Sequence, residues 1–340
     1  MTKLFKLYKD QLGLLLLWLL LILIINPVGD FPLNDDWCYG KSVKTLYEEG
    51  YLKLYNWGEM TLVGHVYWGF LFTKIFGFSF TVLRWSTLVM GFATILGIYQ
   101  LCKLVNATRI MALFVAILCM VNPISLSLSF SFMTDVPFFS VTIWAIYFFI
   151  KALQTDSWKS ILIAVIFCIW ALLIRQLALV LPLTWFITIL LVKKRNTNTW
   201  LKAIIPSVIL LFFYFMFSYV MTSQGLIQER YNSKFHLLIE TLKNFDLNLL
   251  KTIFSYTLIC LSYIGFLLAP IHLHYIFSNK FRGYKIWIFI YTAIITGLLI
   301  TFGKAIPSLD NIWIDFGVGP TTLYDHYGDF VSSPSPKAPQ

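Results

Sequence analysis

Two adjacent carboxylates, Asp35 and Asp36, stand in "FPLNDDWCYGKS" directly after an apolar run. A carboxylate at the edge of hydrocarbon holds its proton more tightly than in water, which suits it to take a proton from a hydroxyl near neutral pH. Farther along, Arg175 in "LLIRQLALVLPL" offers a planar guanidinium whose paired N–H groups match two phosphate oxygens. Asp135 in "SFMTDVPFF", together with Tyr39, Glu59 and His65, adds polar side chains beside apolar stretches. A proton acceptor, an anion-holding cation and a dry wall are what a reaction between a lipid-linked phosphate and a polar acceptor needs at a membrane surface. Each residue also has a plainer reading: acidic residues as solvated interface markers, Asp135 as a helix cap, Arg175 snorkelling to headgroups, His65 as a hydrogen-bonded aromatic neighbour. The set gains meaning only if the fold gathers it on one face.

The elements that could do so are membrane helices. The chain has 340 residues, of which 59% are hydrophobic and 12% charged, against about 25% charged in a soluble domain. Apolar runs long enough to cross a bilayer fall at residues 11–27, 82–102, 110–122, 136–150, 160–174, 177–192, 203–221, 252–276 and 286–302. The expected fold is therefore all-α, a polytopic bundle of about nine spans. Residues 1–302 form the transmembrane domain, 28–81 a large first outer loop with interfacial helices, and 303–340 an outer segment with a disordered end. The first run meets the aspartates without a small-residue cleavage site and reads as a retained anchor.

Lys and Arg accumulate on the cytoplasmic side of membrane proteins. With Lys3, Lys6 and Lys9 inside, the inner segments collect 14 of the 26 basic residues and only Asp10 and Asp156 among the 16 acidic ones. Topology thus accounts for the net charge of +10, and no nucleic-acid partner is expected. The stretch 160–192 tests this parse. As one helix it would be about 48 Å long, against a hydrocarbon core of roughly 30 Å, and it would carry "KKR" outside. A hairpin turning at Arg175 and Gln176 resolves both conflicts. Residues 61–80, apolar but holding His65 and Lys74, are expected to lie at the outer interface. The five cysteines show no metal or pairing pattern, and Cys38 is expected to be reachable from outside. "NAT" at 106–108 falls on the inner side, and no nucleotide-binding glycine loop, HExxH or GxSxG is present.

The succession of "NDDWCY" after the first span, "GFSFTVLRWSTL", "NPISLSLSFSFMTDVPFF" and "LLIRQLALVLPL" resembles the GT-C membrane glycosyltransferases of the protein O-mannosyltransferase and aminoarabinose-transferase branch. The resemblance covers roughly residues 1–200 and rests on order and spacing. It implies transfer of a sugar from a polyprenyl-phosphate carrier on the extracytoplasmic face. That family's first loop carries an Asp-Glu pair followed by a tyrosine, matched here by Asp35-Asp36 and Tyr39, with Asp in place of Glu at 36.

The resemblance implies that Asp35 is the base and Asp36 a helper. Arg175 is the expected donor-phosphate ligand, and Asp135, Tyr39, Glu59 and His65 are acceptor or auxiliary groups. The sequence specifies no cofactor; the carboxylates and His65 leave room for a divalent metal, though no spacing specifies one. The expected partners are the lipid-linked sugar donor, the bilayer, and an acceptor that is protein, lipid or glycan. The expected location is a bacterial or archaeal cell membrane, with the N-terminus cytoplasmic and the site outside. The alternatives are a lipid-linked sugar flippase or transporter, whose charges should line the bilayer midplane, and an O-antigen-type polymerase, which would rely on loop arginines.

Overall fold

The structure is a computed structural model that describes residues 2–33, 35–55, 57–58, 60–194, 196–227, 231, 240–241, 243 and 246–267. Two compact units are distinguished, one built on residues 1–233 and one on 234–310.

All regular secondary structure among the described residues of the first unit is helical. After α1 (Thr2–Ile25) come two helices of the first loop, α2 (Asp36–Glu48) and α3 (Val63–Phe76). The bundle then continues with α4 (Phe80–Leu104), α5 (Arg109–Met120), α6 (Pro123–Ser129), α7 (Asp135–Thr155), α8 (Trp158–Ile174), a 3-10 turn (Gln176–Leu179), α9 (Val180–Val192) and α10 (Thr197–Ser223). Short polar joints start these helices. Ser79, Thr108, Asn122, Ser157 and Asn196 each accept a hydrogen bond from a backbone N–H in the first turn that follows, filling donors that a helix leaves unpaired. In the second unit, α11 (Leu247–Leu267) covers the start of the run 252–276; the run 286–302 lies outside the described residues.

The first seven predicted runs all fall on helices. By length and apolar composition, four described helices qualify as spans: Tyr8–Ile25, Phe80–Leu104, Asp135–Thr155 and Thr197–Ser223. The run 110–122 matches α5, and a short helix not anticipated from the sequence follows it. Its helix ends at Met120 and restarts at Pro123, and the α5–α6 pair is bent by 60°. Asn122 caps the second piece, and the proline nitrogen has no hydrogen to continue the first. Counted as one, the pair is a fifth span. α8 and the 3-10/α9 segment are shorter apolar helices.

Hydrogen bonds and ion pairs fix which helix ends lie together. Asp10 accepts from Arg109 through Nε and Nη2 and from the Tyr99 hydroxyl, joining the ends of α1, α4 and α5. Gln154 donates to the Leu104 carbonyl at 2.9 Å, bringing the end of α7 to that of α4. Lys202 bonds Asp156 through both its carbonyl and its carboxylate, at 2.8 and 2.9 Å. The two acids predicted among the inner lysines and arginines are thus each neutralised by a basic partner. Because α8 starts and α9 ends at this same side, the chain reverses between them, and Arg175 stands at the turn in extended conformation. The loops at 26–33, 60–62, 130–135 and 174–176 gather at the opposite end.

Candidate functional site

At that end, α2 begins with Asp35 and Asp36, whose fates differ. Asp36 is fully buried. Its Oδ1 accepts the Leu33 N–H at 2.5 Å and its Oδ2 the Phe132 N–H at 2.9 Å, so one carboxylate ties the first loop to the segment before α7. Burial pushes this carboxyl up to about 7, opposed by the two N–H donors and the nearby Arg84 charge. The tightly held proton expected of an acid beside hydrocarbon is therefore found at Asp36.

Phe132 is held from its other side too. His65, fully buried, stacks on the Phe132 ring with centroids 3.9 Å apart, and its Nε2 lies 3.0 Å from the Phe132 carbonyl. A carbonyl only accepts, so Nε2 carries the proton. Burial pushes the imidazole down to about 4, which keeps it neutral. α3 brings His65 here because Leu62, in left-handed conformation with φ 61°, turns the chain while donating its N–H to the Ile174 carbonyl. Thr61 adds a bond to the Leu172 carbonyl at 2.6 Å. Gly64 permits the close approach, since a Cβ there would lie 3.0 Å from that of Leu173.

Asp36 and His65 make opposing demands on stability as pH changes. The folded chain holds a proton on Asp36 that the unfolded chain has released over the window from 3.8 to about 7, so this contribution is lost as pH rises through it. His65 is neutral in the folded chain where the unfolded imidazole is protonated, from about 4 to 6.5, so its contribution is lost as pH falls through that window. The two offset each other in the overlap. Asp36→Asn should leave an unfolding temperature that climbs with pH between about 4 and 6.5, and His65→Gln one that declines between about 4 and 7. Thermal unfolding of detergent-solubilised variants reads this, and profiles parallel to wild type in both would refute it.

Arg175 closes α8 and reaches the start of α7. Its Nε and Nη2 donate to Thr134 Oγ1 at 3.0 and 2.6 Å, and Nη2 pairs with Asp135 Oδ2 at 2.8 Å. Both charged side chains are half-buried. Its Nη1 makes no hydrogen bond among the described residues. Thr134 in turn donates to Met60 Sδ at 3.1 Å, which fastens the cluster to the first loop.

Asp35 is half-buried, and its Oδ1 accepts the Trp57 Nε1–H at 2.9 Å. Its Oδ2 accepts none among the described residues. Tyr39, buried beside the edge of His65, has its phenol pushed up first by burial and then by Asp35, while Asp135 and Arg175 also act on it electrostatically. One phenol therefore senses the carboxylates and the guanidinium together. Glu59 lies outside the described residues.

Two residues of this site did not stand out in the sequence. Arg84 is fully buried in α4; Nη1 donates to the Pro27 and Gly29 carbonyls at 3.0 and 2.9 Å, Nη2 donates to the Phe31 carbonyl, and the guanidinium sits 4.5 Å over the Phe31 ring. It shapes the turn that delivers the aspartates. An arginine inside the run 82–102 was a usable signal, since charge in such a run is costly without a role. Trp57 gave none, because tryptophans abound at membrane edges. Cys38 corrects an expectation: it is fully buried, its thiol donates toward the Tyr55 carbonyl at 3.7 Å, and burial pushes it up to about 11. It packs inside the first loop and is closed to a reagent from outside.

Three or more His, Cys, Asp or Glu side chains placed to hold a metal ion do not occur among the described residues. Both oxygens of Asp36 accept backbone N–H groups, Asp135 Oδ2 pairs with Arg175, and His65 is buried in the core.

Residues 64–222 match the family model of the dolichyl-phosphate-mannose-protein mannosyltransferases. The match supports a membrane glycosyltransferase of the GT-C type. It takes in His65, Arg84, Phe132, Thr134, Asp135 and Arg175, while Asp35 and Asp36 precede it. No curated protein and no solved structure matches the chain.

Proposed function

We propose that the protein is an inverting glycosyltransferase that moves a sugar from a polyprenyl-phosphate carrier to an acceptor hydroxyl on the extracytoplasmic face. The observation that carries this is an Asp35 Oδ2 and an Arg175 Nη1 that make no hydrogen bond among the described residues, in loops gathered at one end of an apolar bundle. Asp35 takes the acceptor's proton as the hydroxyl oxygen bonds to the anomeric carbon. The bond from that carbon to the phosphate oxygen breaks, its electron pair leaves on the lipid phosphate, and Arg175 receives the growing charge. Attack opposite the departing group inverts the anomeric centre.

Asp135 orients Arg175, and Asp36 serves as a positioning group. With both oxygens bound by backbone N–H groups and no exposed surface, it holds the loops and meets no acceptor. Charges placed at helix ends instead of along the span centres speak for surface chemistry over a transport path.

The proposed face follows from the basic end of the bundle being cytoplasmic. A cysteine at the exposed Tyr51 should then react with an impermeant thiol reagent in intact cells, and one at Lys194 should not. The reverse pattern would place the site on the cytoplasmic side. The reaction itself is tested by sugar transfer from a synthetic polyprenyl-phosphate sugar with purified protein, the anomeric configuration of the product being read by NMR.

A further inference from the structure

We propose that Trp57 is a positioning residue for Asp35: its indole N–H clamps Oδ1 and turns Oδ2 toward the acceptor. This rests on Asp35 being the base. The backbone of Asp35 is fixed where α2 starts, its carbonyl accepting the Cys38 N–H at 3.1 Å. Its side chain makes no cap hydrogen bond to the helix it precedes, however. Left to its backbone alone, the carboxylate could rotate through several staggered wells, most of which would point neither oxygen at a substrate.

The indole supplies the missing constraint. Nε1 donates to Oδ1 at 2.9 Å, within the range of a normal N–H···O bond. An indole nitrogen only donates, so it cannot compete for the acceptor's proton. The donor is itself braced. Trp57 packs against Trp37, with ring centroids 6.1 Å apart. The segment carrying it is tied down by the Tyr55 carbonyl, which accepts from the Cys38 thiol and from the Gly58 N–H at 3.2 Å, and by the Tyr55 hydroxyl, 2.9 Å from Thr45 Oγ1. A rigid donor on one oxygen leaves the other as the sole proton acceptor, in one orientation. Such alignment acts on turnover more than on binding, because the proton is transferred only as the reaction proceeds.

The test replaces the N–H while keeping the ring. Trp57→Phe retains an aromatic against Trp37, and benzothienylalanine incorporated at position 57 retains the full bicyclic shape with sulfur where the N–H was. Both should lower kcat about tenfold or more, with KM for a polyprenyl-phosphate sugar within about twofold and, for the isostere, an unchanged unfolding temperature. In an Asp35→Asn background the same replacements should cause no further loss, since the group they orient is gone. Full kcat with the isostere would overturn the assignment, as would an equal loss with and without Asp35. If Asp35→Asn is inactive while the isostere is normal, only the role of Trp57 falls; if Asp35→Asn turns over normally, the base itself falls and Trp57 with it.

Discussion

Asp35→Asn is expected to reduce sugar transfer by about 100-fold or more in kcat, the usual range for losing a positioned general base. The amide keeps the size of the side chain and can still accept the Trp57 N–H through its oxygen, so the loop should stay in place. What disappears is the proton acceptor. The neighbouring Asp36 cannot take over, because both its oxygens are filled by the Leu33 and Phe132 N–H groups inside the core. The measurement is initial-rate transfer from a defined polyprenyl-phosphate sugar, with variants matched for amount and unfolding temperature. Normal turnover would return Asp35 to the status of an interface marker and leave the proposed reaction without its base.

Arg175→Lys is expected to cost about tenfold or more in kcat/KM although it preserves the charge. Nε and Nη2 already serve Thr134 and Asp135, leaving Nη1 for the phosphate. A guanidinium can hold all three directions at once because its five N–H groups diverge in one plane, and an ammonium concentrates its donors at a point. Lysine would therefore either keep Asp135 or reach the donor. Arg175→Ala should be worse, since it leaves Asp135 unpaired beside the incoming phosphate and removes the charge that receives the leaving group. Titrating the donor separates the two effects: KM should rise in both variants, and kcat should fall further in the alanine one. Wild-type kcat/KM for Arg175→Ala would confine the arginine to pinning α7 against α8.

Much of the architecture follows from local chemistry. Apolar runs separated by basic joints can only be helices buried in lipid, because every backbone group must find its partner within the segment. The turn at Arg175 was legible for a related reason: a continuous helix would overrun the bilayer and strand three basic residues on the wrong side. The stop at Asn122-Pro123 was legible too, through a cap followed by a residue without an N–H, and the run 110–122 ends there; the short helix that follows it was not anticipated.

The roles of the two aspartates show where sequence stops. Neighbours on a helix point about 100° apart, so one of the pair had to face the core and the other could face outward; nothing in "NDDW" says which. The answer depends on N–H donors from Leu33 and from Phe132, the latter 96 residues away, and on a buried arginine in α4 that folds the 27–31 turn around itself. His65 and Trp57 gain their meaning in the same manner, the one through a carbonyl in the loop before α7, the other through a carboxylate 22 residues away on the far side of α2. Composition and periodicity determined that the chain is a helical membrane bundle with its unusual polar residues at helix ends. Only the tertiary structure decided which of those residues remain open and which are consumed in holding the loops, because hydrogen bonds between groups distant in sequence leave no local pattern to read.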